Sequence, residues 1–190
     1  LARQADTKGK GADDGLAALA QKHDAVNLGP GSPDYPIDPL LIDLVTEAMR
    51  AGHNQYPLMP GVLALREAIA AKVARLYGRQ YDPVSAITVT TGATQAIFTT
   101  IQALAHPGDE VIVFEPAYDS YVPAVQLAGA TPVPLPVTLP AYPIDWNAVR
   151  DAITPRTRFI LLNTPSNPAT SVLTAADLDM LAAIVRDTPI

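Results

Sequence analysis

The chain contains no cysteine, which excludes disulfide bonds and thiolate chemistry. Basic residues are scarce as well: 13 Lys and Arg stand against 19 Asp and Glu, for a net charge of −6. This balance disfavours nucleic acid or an acidic membrane surface as a partner, because both bind clustered Lys and Arg. The three histidines are scattered and no HExxH spacing occurs, so no metal site is predicted. The opening residues do not resemble a signal peptide, and we expect a cytoplasmic protein.

Two long stretches lack charge altogether. Ala86–Gly108 has no Asp, Glu, Lys or Arg, but it is rich in Thr and Gln and contains a Gly turn. A buried strand–turn–helix unit therefore fits it better than a membrane span. Ser120–Ile144 is also uncharged, and its six prolines exclude one continuous helix.

The hydrophobic patterning predicts helices first and then an α/β alternation. Residues Leu1–Gly15 are polar and are expected to form a mobile arm. Predicted helices are Leu16–Lys22, Pro39–Ala51, Val62–Tyr77, Ala93–Leu104, Ala117–Leu127, Asp145–Ile153 and Ala175–Arg186, and predicted strands are Ile87–Thr91, Val111–Phe114, Thr131–Pro136 and Phe159–Leu162. Strands separated by helices predict a parallel sheet with right-handed crossovers.

One predicted strand indicates its own place in the sheet. Pro132, Pro134 and Pro136 occupy alternate positions, and successive N–H groups of a strand face opposite sides. The three prolines therefore remove donors from one side only, which predicts an edge strand.

Three predicted strands end in unusual residues, at the edge where open α/β sheets bind ligands. Thr91-Gly92-Ala93-Thr94 leads into a helix, where free amides and the Thr94 hydroxyl are able to hold a phosphate. Tyr118 follows the second strand, where its ring is able to cover a flat ligand, and Asn167 follows the last. Each loop alone also fits an ordinary turn or a core aromatic residue. That reading does not explain why all three loops fall on one edge.

Six motifs in order resemble the class I/II (fold-type-I) aminotransferases, which use pyridoxal phosphate (PLP). They run from about Ala25 to the end of the chain. Two of them, Asn54–Gly61 and Pro116–Tyr121, are most similar in sequence to the methionine/kynurenine/glutamine transaminase-like branch. The motifs are Asn27-Leu28-Gly29-Pro30-Gly31-Ser32-Pro33-Asp34, Asn54-Gln55-Tyr56 with Gly61 and Leu65-Arg66-Glu67, Thr90-Thr91-Gly92-Ala93-Thr94-Gln95-Ala96, Pro107-Gly108-Asp109-Glu110, Pro116-Ala117-Tyr118-Asp119-Ser120-Tyr121 and Asn163-Thr164-Pro165-Ser166-Asn167-Pro168.

The resemblance implies a role for each matching residue. Gly92, Ala93 and Thr94 would bind the PLP phosphate, and Tyr118 would stack on the pyridine ring. Asn167 would bind the 3′-oxygen of PLP and lie near the substrate carboxylate, to which Gly31 would offer its backbone. Tyr56 would reach the phosphate of the neighbouring subunit, which implies a homodimer. The implied reaction transfers an amino group from an amino acid to a 2-oxo acid.

The resemblance also implies a three-layer α/β/α fold with a mainly parallel sheet, the large domain of an aspartate-aminotransferase-like protein, incomplete in this chain. Residues 1–45 would form the arm and a small-domain segment, and residues 46–190 part of the PLP-binding domain. Further strands would separate the strand before Gly92 from the strand before Asn167. We therefore expect a fragment of a longer protein.

The chain departs from the family in three ways. The residues after Asn167 are Pro168-Ala169-Thr170, where the family often has Pro-Thr-Gly, and Ser32 replaces a larger residue. The Schiff-base lysine of the family has no counterpart here: Lys8, Lys10 and Lys22 precede the motifs, and Lys72 lies mid-helix. No catalytic residue is therefore predicted in this chain. A PLP-dependent C–S lyase and a non-catalytic module of the same fold remain open alternatives.

Overall fold

A computed structural model describes residues 18–26, 35–186, 188 and 190. The chain divides into two compact units, residues 1–56 and residues 57–190. The predicted arm Leu1–Gly15 and the loop containing Gly31 and Ser32 lie outside the described residues. The predicted domain boundary after residue 45 stays a prediction.

The first unit contains a helical stretch at 18–22 and helix α1, Pro39–Arg50. Helix α1 begins where the sequence predicts it, because Asp38 accepts a hydrogen bond from Leu40 N at 2.8 Å and Pro39 occupies the first turn. Its apolar residues remain about half exposed within the described structure.

The second unit contains five helices and three strands among its described residues. They are α2 (Leu63–Tyr77), α3 (Gly92–Leu104), β1 (Glu110–Glu115), α4 (Tyr121–Leu127), β2 (Thr131–Pro136), α5 (Trp146–Ala152), β3 (Thr157–Leu161) and α6 (Ala175–Arg186). Thr174 directly precedes α6, where its residue type predicts an N-cap, and its hydroxyl accepts a hydrogen bond from Asp177 N at 3.2 Å as expected. None of the helices in the described part of the chain is both long and apolar enough to cross a membrane.

The three strands form a parallel sheet in the order β2-β1-β3. Among the described residues the proline-containing strand β2 pairs with β1 alone, so the prediction of an edge strand is confirmed. β1 lies in the centre, and its residues Val111, Ile112 and Val113 are fully buried. An apolar run without alternation is expected of a parallel strand that is covered on both faces.

Each face of the sheet packs against its own pair of helices. Val111 and Val113 contact a cluster built from α3 and α4, whose buried members include Ile101 and Val125. Phe114 of β1 and Ile160 of β3 contact the opposite cluster, formed by α5 and α6. The three-layer α/β/α arrangement is therefore present in this chain.

The first predicted strand, Ile87–Thr91, is wrong: no ladder pairs it within the described residues. A strand needs a hydrogen-bonded neighbour, and the family resemblance places the neighbours of this one outside the chain. The segment is tied instead to the loop before α2, where Val89 N donates to Pro60 O at 2.9 Å.

The spacing of Leu65, Ile69, Val73 and Leu76 predicts an apolar stripe along α2 with Arg66 outside it, and the structure differs from this pattern. Arg66, predicted to lie outside the apolar stripe, is 4% exposed, whereas Leu65 and Leu76 of the stripe are about half exposed. Helical periodicity alone does not predict this reversal. It arises because the Arg66 guanidinium binds backbone carbonyl groups outside the helix.

Candidate cofactor site

The turn that begins α3 is fixed by its own side chains. Gly92 has a φ of +84°, a conformation that glycine adopts without strain. Gln95 Oε1 accepts a hydrogen bond from Thr91 N at 2.5 Å, and Thr90 Oγ1 donates to Gly92 O at 3.1 Å. No sequence pattern predicted this role for Gln95, which holds the backbone just before α3 and does not accept from the first-turn amides of the helix.

The amino end of α3 has no side-chain cap. Within the described residues, the amides of Ala93 and Thr94 donate to no acceptor outside the helix, and a first turn offers them none inside it. By contrast, carboxylates cap α1 and α5, through Asp38 and Asp145. The positive end of α3 is therefore left without a neutralising side chain, as an anion-binding helix end requires.

The second feature of the site is Tyr118, which reaches the same turn. The Tyr118 hydroxyl and Thr94 Oγ1 lie 3.0 Å apart, a hydrogen bond in which either atom is able to donate. The half-buried Tyr118 ring packs against the α3–α4 cluster and meets Tyr121 edge-on, with ring centroids 5.6 Å apart. Tyr118 is thus partly a core residue and partly a neighbour of the helix end.

Tyr121 lies on the core side of this pair and is 7% exposed. Burial raises the pKa of its phenol, and the neighbouring Tyr118 raises it further. Tyr121 is therefore neutral at physiological pH, so it supports Tyr118 by packing and not by charge.

The loop after β3 is closed by local hydrogen bonds. Leu173 N donates to Thr164 Oγ1 at 3.0 Å, and Thr170 N donates to Ser166 O at 2.8 Å. Thr170 has a φ of +57°, at the position where the family often has glycine. Asn167 lies exposed in this loop, and both Thr164-Pro165 and Asn167-Pro168 are cis.

A cleft opens at the carboxyl ends of β1 and β3, and Asn167 contributes to its wall. Other residues that line it include Phe114, Tyr121, Tyr142, Asn163 and Ser166. Thr94 and Tyr118 are not among its lining residues, and within the described structure no hydrogen bond joins Asn167 to either of them. The structure thus brings Thr94 and Tyr118 together and places Asn167 separately at the end of β3.

The other residues singled out in the sequence are Gly31, Ser32, Tyr56 and the four lysines. Gly31 and Ser32 are outside the described residues. Tyr56 belongs to the first unit, and its side chain is fully exposed. Lys22 and Lys72 are exposed, and Lys8 and Lys10 are outside the described part. The described residues contain no group of three or more His, Asp or Glu placed to hold a metal ion.

The donors at the start of α3 fit the phosphate of PLP. Two backbone amides, a hydroxyl and an uncapped helix end suit a phosphate monoester, and a methyl group added at Gly92 would meet no atom within 4 Å, so the space beside the turn is open. Tyr118 places an aromatic ring next to that anion-binding end. These features describe an α/β protein with a candidate site for a phosphorylated ligand.

The family follows from comparison with known proteins. The profile of the family "Aminotransferase class I and II" matches residues 23–190. The chain belongs to this family, whose members use PLP.

Curated relatives agree with this assignment. A methionine aminotransferase of Escherichia coli is 46% identical over 166 residues, or 87% of this chain, and a probable N-succinyldiaminopimelate aminotransferase of Mycobacterium tuberculosis is 44% identical over 171 residues, or 89% of this chain. The chain spans 43% of the length of both proteins.

Solved structures show the same fold. The chain superposes on a structure of the Escherichia coli methionine aminotransferase with a TM-score of 0.89 and 44% identity, covering 91% of this chain and 46% of that one. The Mycobacterium tuberculosis N-succinyldiaminopimelate aminotransferase gives a TM-score of 0.86 and 43% identity over the same shares.

Proposed function

We propose that the protein carrying this chain is a PLP-dependent aminotransferase, which moves an amino group from an amino acid to a 2-oxo acid. The observation that carries the proposal is the contact between Thr94 and Tyr118 beside the uncapped end of α3. That contact joins the proposed phosphate-binding helix end to an aromatic ring. The family uses PLP, which has both a phosphate and a flat ring for such a pair to bind.

Each residue of the site has a stated task in this proposal. Ala93 N, Thr94 N and Thr94 Oγ1 hold the phosphate, with Gly92 allowing the close approach of the backbone. Tyr118 covers one face of the pyridine ring, and the Asn167 amide donates to the ring oxygen and lies near the substrate carboxylate. When bound, PLP withdraws electrons from the substrate carbon that loses a proton.

The lysine that the chemistry requires is not one of the four in this chain. A lysine of this kind is desolvated and lies at the cofactor, whereas Lys22 and Lys72 are exposed on helices. We expect it in the part of the relatives' length that this chain does not span. The chain alone is accordingly expected to bind the phosphate end of the cofactor and not to transfer amino groups.

We further propose a cytoplasmic homodimer for the whole protein. The exposed Tyr56 supports this, because a fully exposed aromatic ring in a family motif is available to reach the PLP phosphate of a second subunit. Tyr56→Phe, which keeps the ring, should weaken PLP binding without changing the mass of the assembly in light scattering.

Transfer of a labelled amino group tests the proposal. The full-length gene product is incubated with PLP, a 2-oxo acid and one ¹⁵N-labelled donor at a time: methionine, kynurenine, N-succinyldiaminopimelate or aspartate, the substrates named for its relatives. Appearance of ¹⁵N in a new amino acid supports the proposal. Release of labelled ammonia instead would identify a lyase, and failure to bind PLP would identify a non-catalytic module.

A further inference from the structure

Arg66 is a buried cation that is held by backbone carbonyl groups. Its Nε donates to Gly61 O at 3.2 Å, and one terminal nitrogen donates to Pro83 O at 2.7 Å and to Val84 O at 3.1 Å. Within the described residues no carboxylate forms an ion pair with it. Burying a guanidinium is costly unless its N–H groups are satisfied, so these three bonds define its position.

The carbonyl groups belong to two segments that are distant in sequence. Gly61 lies in the loop before α2, whereas Pro83 and Val84 begin the segment that ends in the turn Thr91–Thr94. Arg66 therefore joins the amino end of α2 to the start of the segment that carries the proposed phosphate site.

A second link between the same segments lies closer to the turn. Val89 N donates to Pro60 O at 2.9 Å, and Gly61 packs directly on Val89. A methyl group added at Gly61 would lie 2.8 Å from Val89 Cβ, closer than van der Waals contact permits. Val89 is two residues before Thr91, so its position sets where the turn begins.

We propose that Arg66 is a positioning residue for the phosphate-binding turn: it holds residues 83–84 against the loop at Gly61, and the Pro60–Val89 bond transmits this placement to Thr91–Thr94. The inference rests on the proposed function, since it concerns the same phosphate site. Its reason is that the three Arg66 hydrogen bonds and the Val89–Pro60 bond tie residues 83–89 to the loop before α2.

Comparison of PLP with pyridoxal, which lacks the phosphate, isolates this role. Both affinities are measured by absorbance titration on the full-length gene product and on Arg66→Gln. We expect Arg66→Gln to lose on the order of tenfold in PLP affinity, because a displaced turn misplaces several donors at once, and to change pyridoxal affinity far less. Arg66→Lys keeps the charge but is able to reach only some of the carbonyl groups. Its ratio of PLP affinity to pyridoxal affinity should therefore lie between the values of Arg66→Gln and the wild type.

Arg75→Gln is the matched control, because Arg75 lies on the same helix and is exposed. It should leave both affinities unchanged. If Arg66→Gln does not yield soluble protein, the ratio of PLP affinity to pyridoxal affinity is measured on Arg66→Lys and Gly61→Ala instead. Both substitutions should lower that ratio below the wild-type value. Equal losses for PLP and pyridoxal, or an unchanged ratio, would overturn the positioning role. A wild-type protein that binds PLP no better than pyridoxal would instead overturn the proposed phosphate site.

Discussion

Thr94 Oγ1 lies 3.0 Å from the hydroxyl of Tyr118, which joins the start of α3 to the loop after β1. The two residues are 24 positions apart, Thr94 in the first turn of α3 and Tyr118 in the loop after β1. The contact places a hydroxyl, an aromatic ring and the uncapped helix end of α3 side by side. It is the part of the candidate site that this chain builds by itself.

Removal of the Thr94 hydroxyl should weaken the phosphate end of the site. Thr94→Val keeps the shape of the side chain and loses a hydrogen bond to a charged group, which contributes about 1.5–3 kcal/mol. PLP affinity of the full-length gene product, measured by titration, should fall accordingly. Thr100→Val, at an exposed position of the same helix, is the control and should have no effect. An equal effect of both variants would argue against phosphate binding at Thr94.

Tyr118 allows the ring and the hydroxyl to be tested separately. Tyr118→Phe keeps the ring, so we expect a loss of about 0.5–1.5 kcal/mol in PLP binding, the contribution of one neutral hydrogen bond. Tyr118→Leu removes the ring and should lose more than Tyr118→Phe. PLP titration of both variants is the measurement, and equal losses would contradict ring stacking by Tyr118.

Gly61 should not tolerate a side chain, because Val89 occupies the space. Gly61→Ala meets both the strain of a φ of +96° and the contact with Val89. Gly78, with a φ of +64° at the other end of α2, has no atom within 4 Å of an added methyl group. Gly78→Ala should therefore cost about 1 kcal/mol from backbone strain and Gly61→Ala about 1–3 kcal/mol more, in chemical denaturation. Equal losses in the free energy of unfolding for the two variants would show that Val89 moves aside without destabilising the fold.

Thr170 should be more stable as glycine. A β-branched residue is strained at its φ of +57°, and relief of that strain should exceed the entropy that glycine adds to the unfolded chain. We expect Thr170→Gly to raise the free energy of unfolding by about 0.5 kcal/mol. Thr100→Gly, in the middle of α3, should lower it by about 0.4 kcal/mol. A destabilised Thr170→Gly variant would indicate that the Thr170 side chain contributes contacts of its own.

Glu110 should make stability depend on acid pH. The pKa of this carboxyl is lowered by the hydrogen bond from Thr154 Oγ1 (2.6 Å) and by the Arg156 guanidinium. A folded-state pKa below the unfolded one stabilises the fold above about pH 4.3, and that contribution is lost as the pH falls through the folded pKa. Glu110→Gln should be less stable at pH 7 and show a flatter profile below about pH 4.3.

The control for this experiment is Glu67→Gln, at an exposed position of α2. It should change stability at pH 7 by less than about 0.5 kcal/mol. Denaturant titrations across the acid range provide the measurement. A parallel acid profile for wild type and Glu110→Gln would contradict the role given to Thr154 and Arg156.

Much of the fold could be predicted where the local sequence decides the structure. The alternate prolines of β2 predicted an edge strand, and the apolar run of β1 predicted a strand that is buried on both faces. Thr174 was a predicted capping residue by type and position. Ile87–Thr91 could not be predicted correctly, because its β-propensity says nothing about whether a neighbouring strand is present.

The candidate site, too, could be predicted only in part. The turn at Gly92 and the ring of Tyr118 were predicted from strand ends and from family resemblance, but the hydrogen bond between Thr94 and Tyr118 depends on tertiary packing. Arg66 was assigned to the polar face because helical periodicity treats a charge as exposed. Its partners are backbone carbonyl groups, and these leave no mark in the sequence.

A crystal structure of the full-length gene product with PLP is the most direct test of the central claim. We predict the phosphate within hydrogen-bonding distance of Ala93 N, Thr94 N and Thr94 Oγ1, with the pyridine ring against Tyr118. PLP bound with its phosphate away from the start of α3, or with its ring away from Tyr118, would contradict the account.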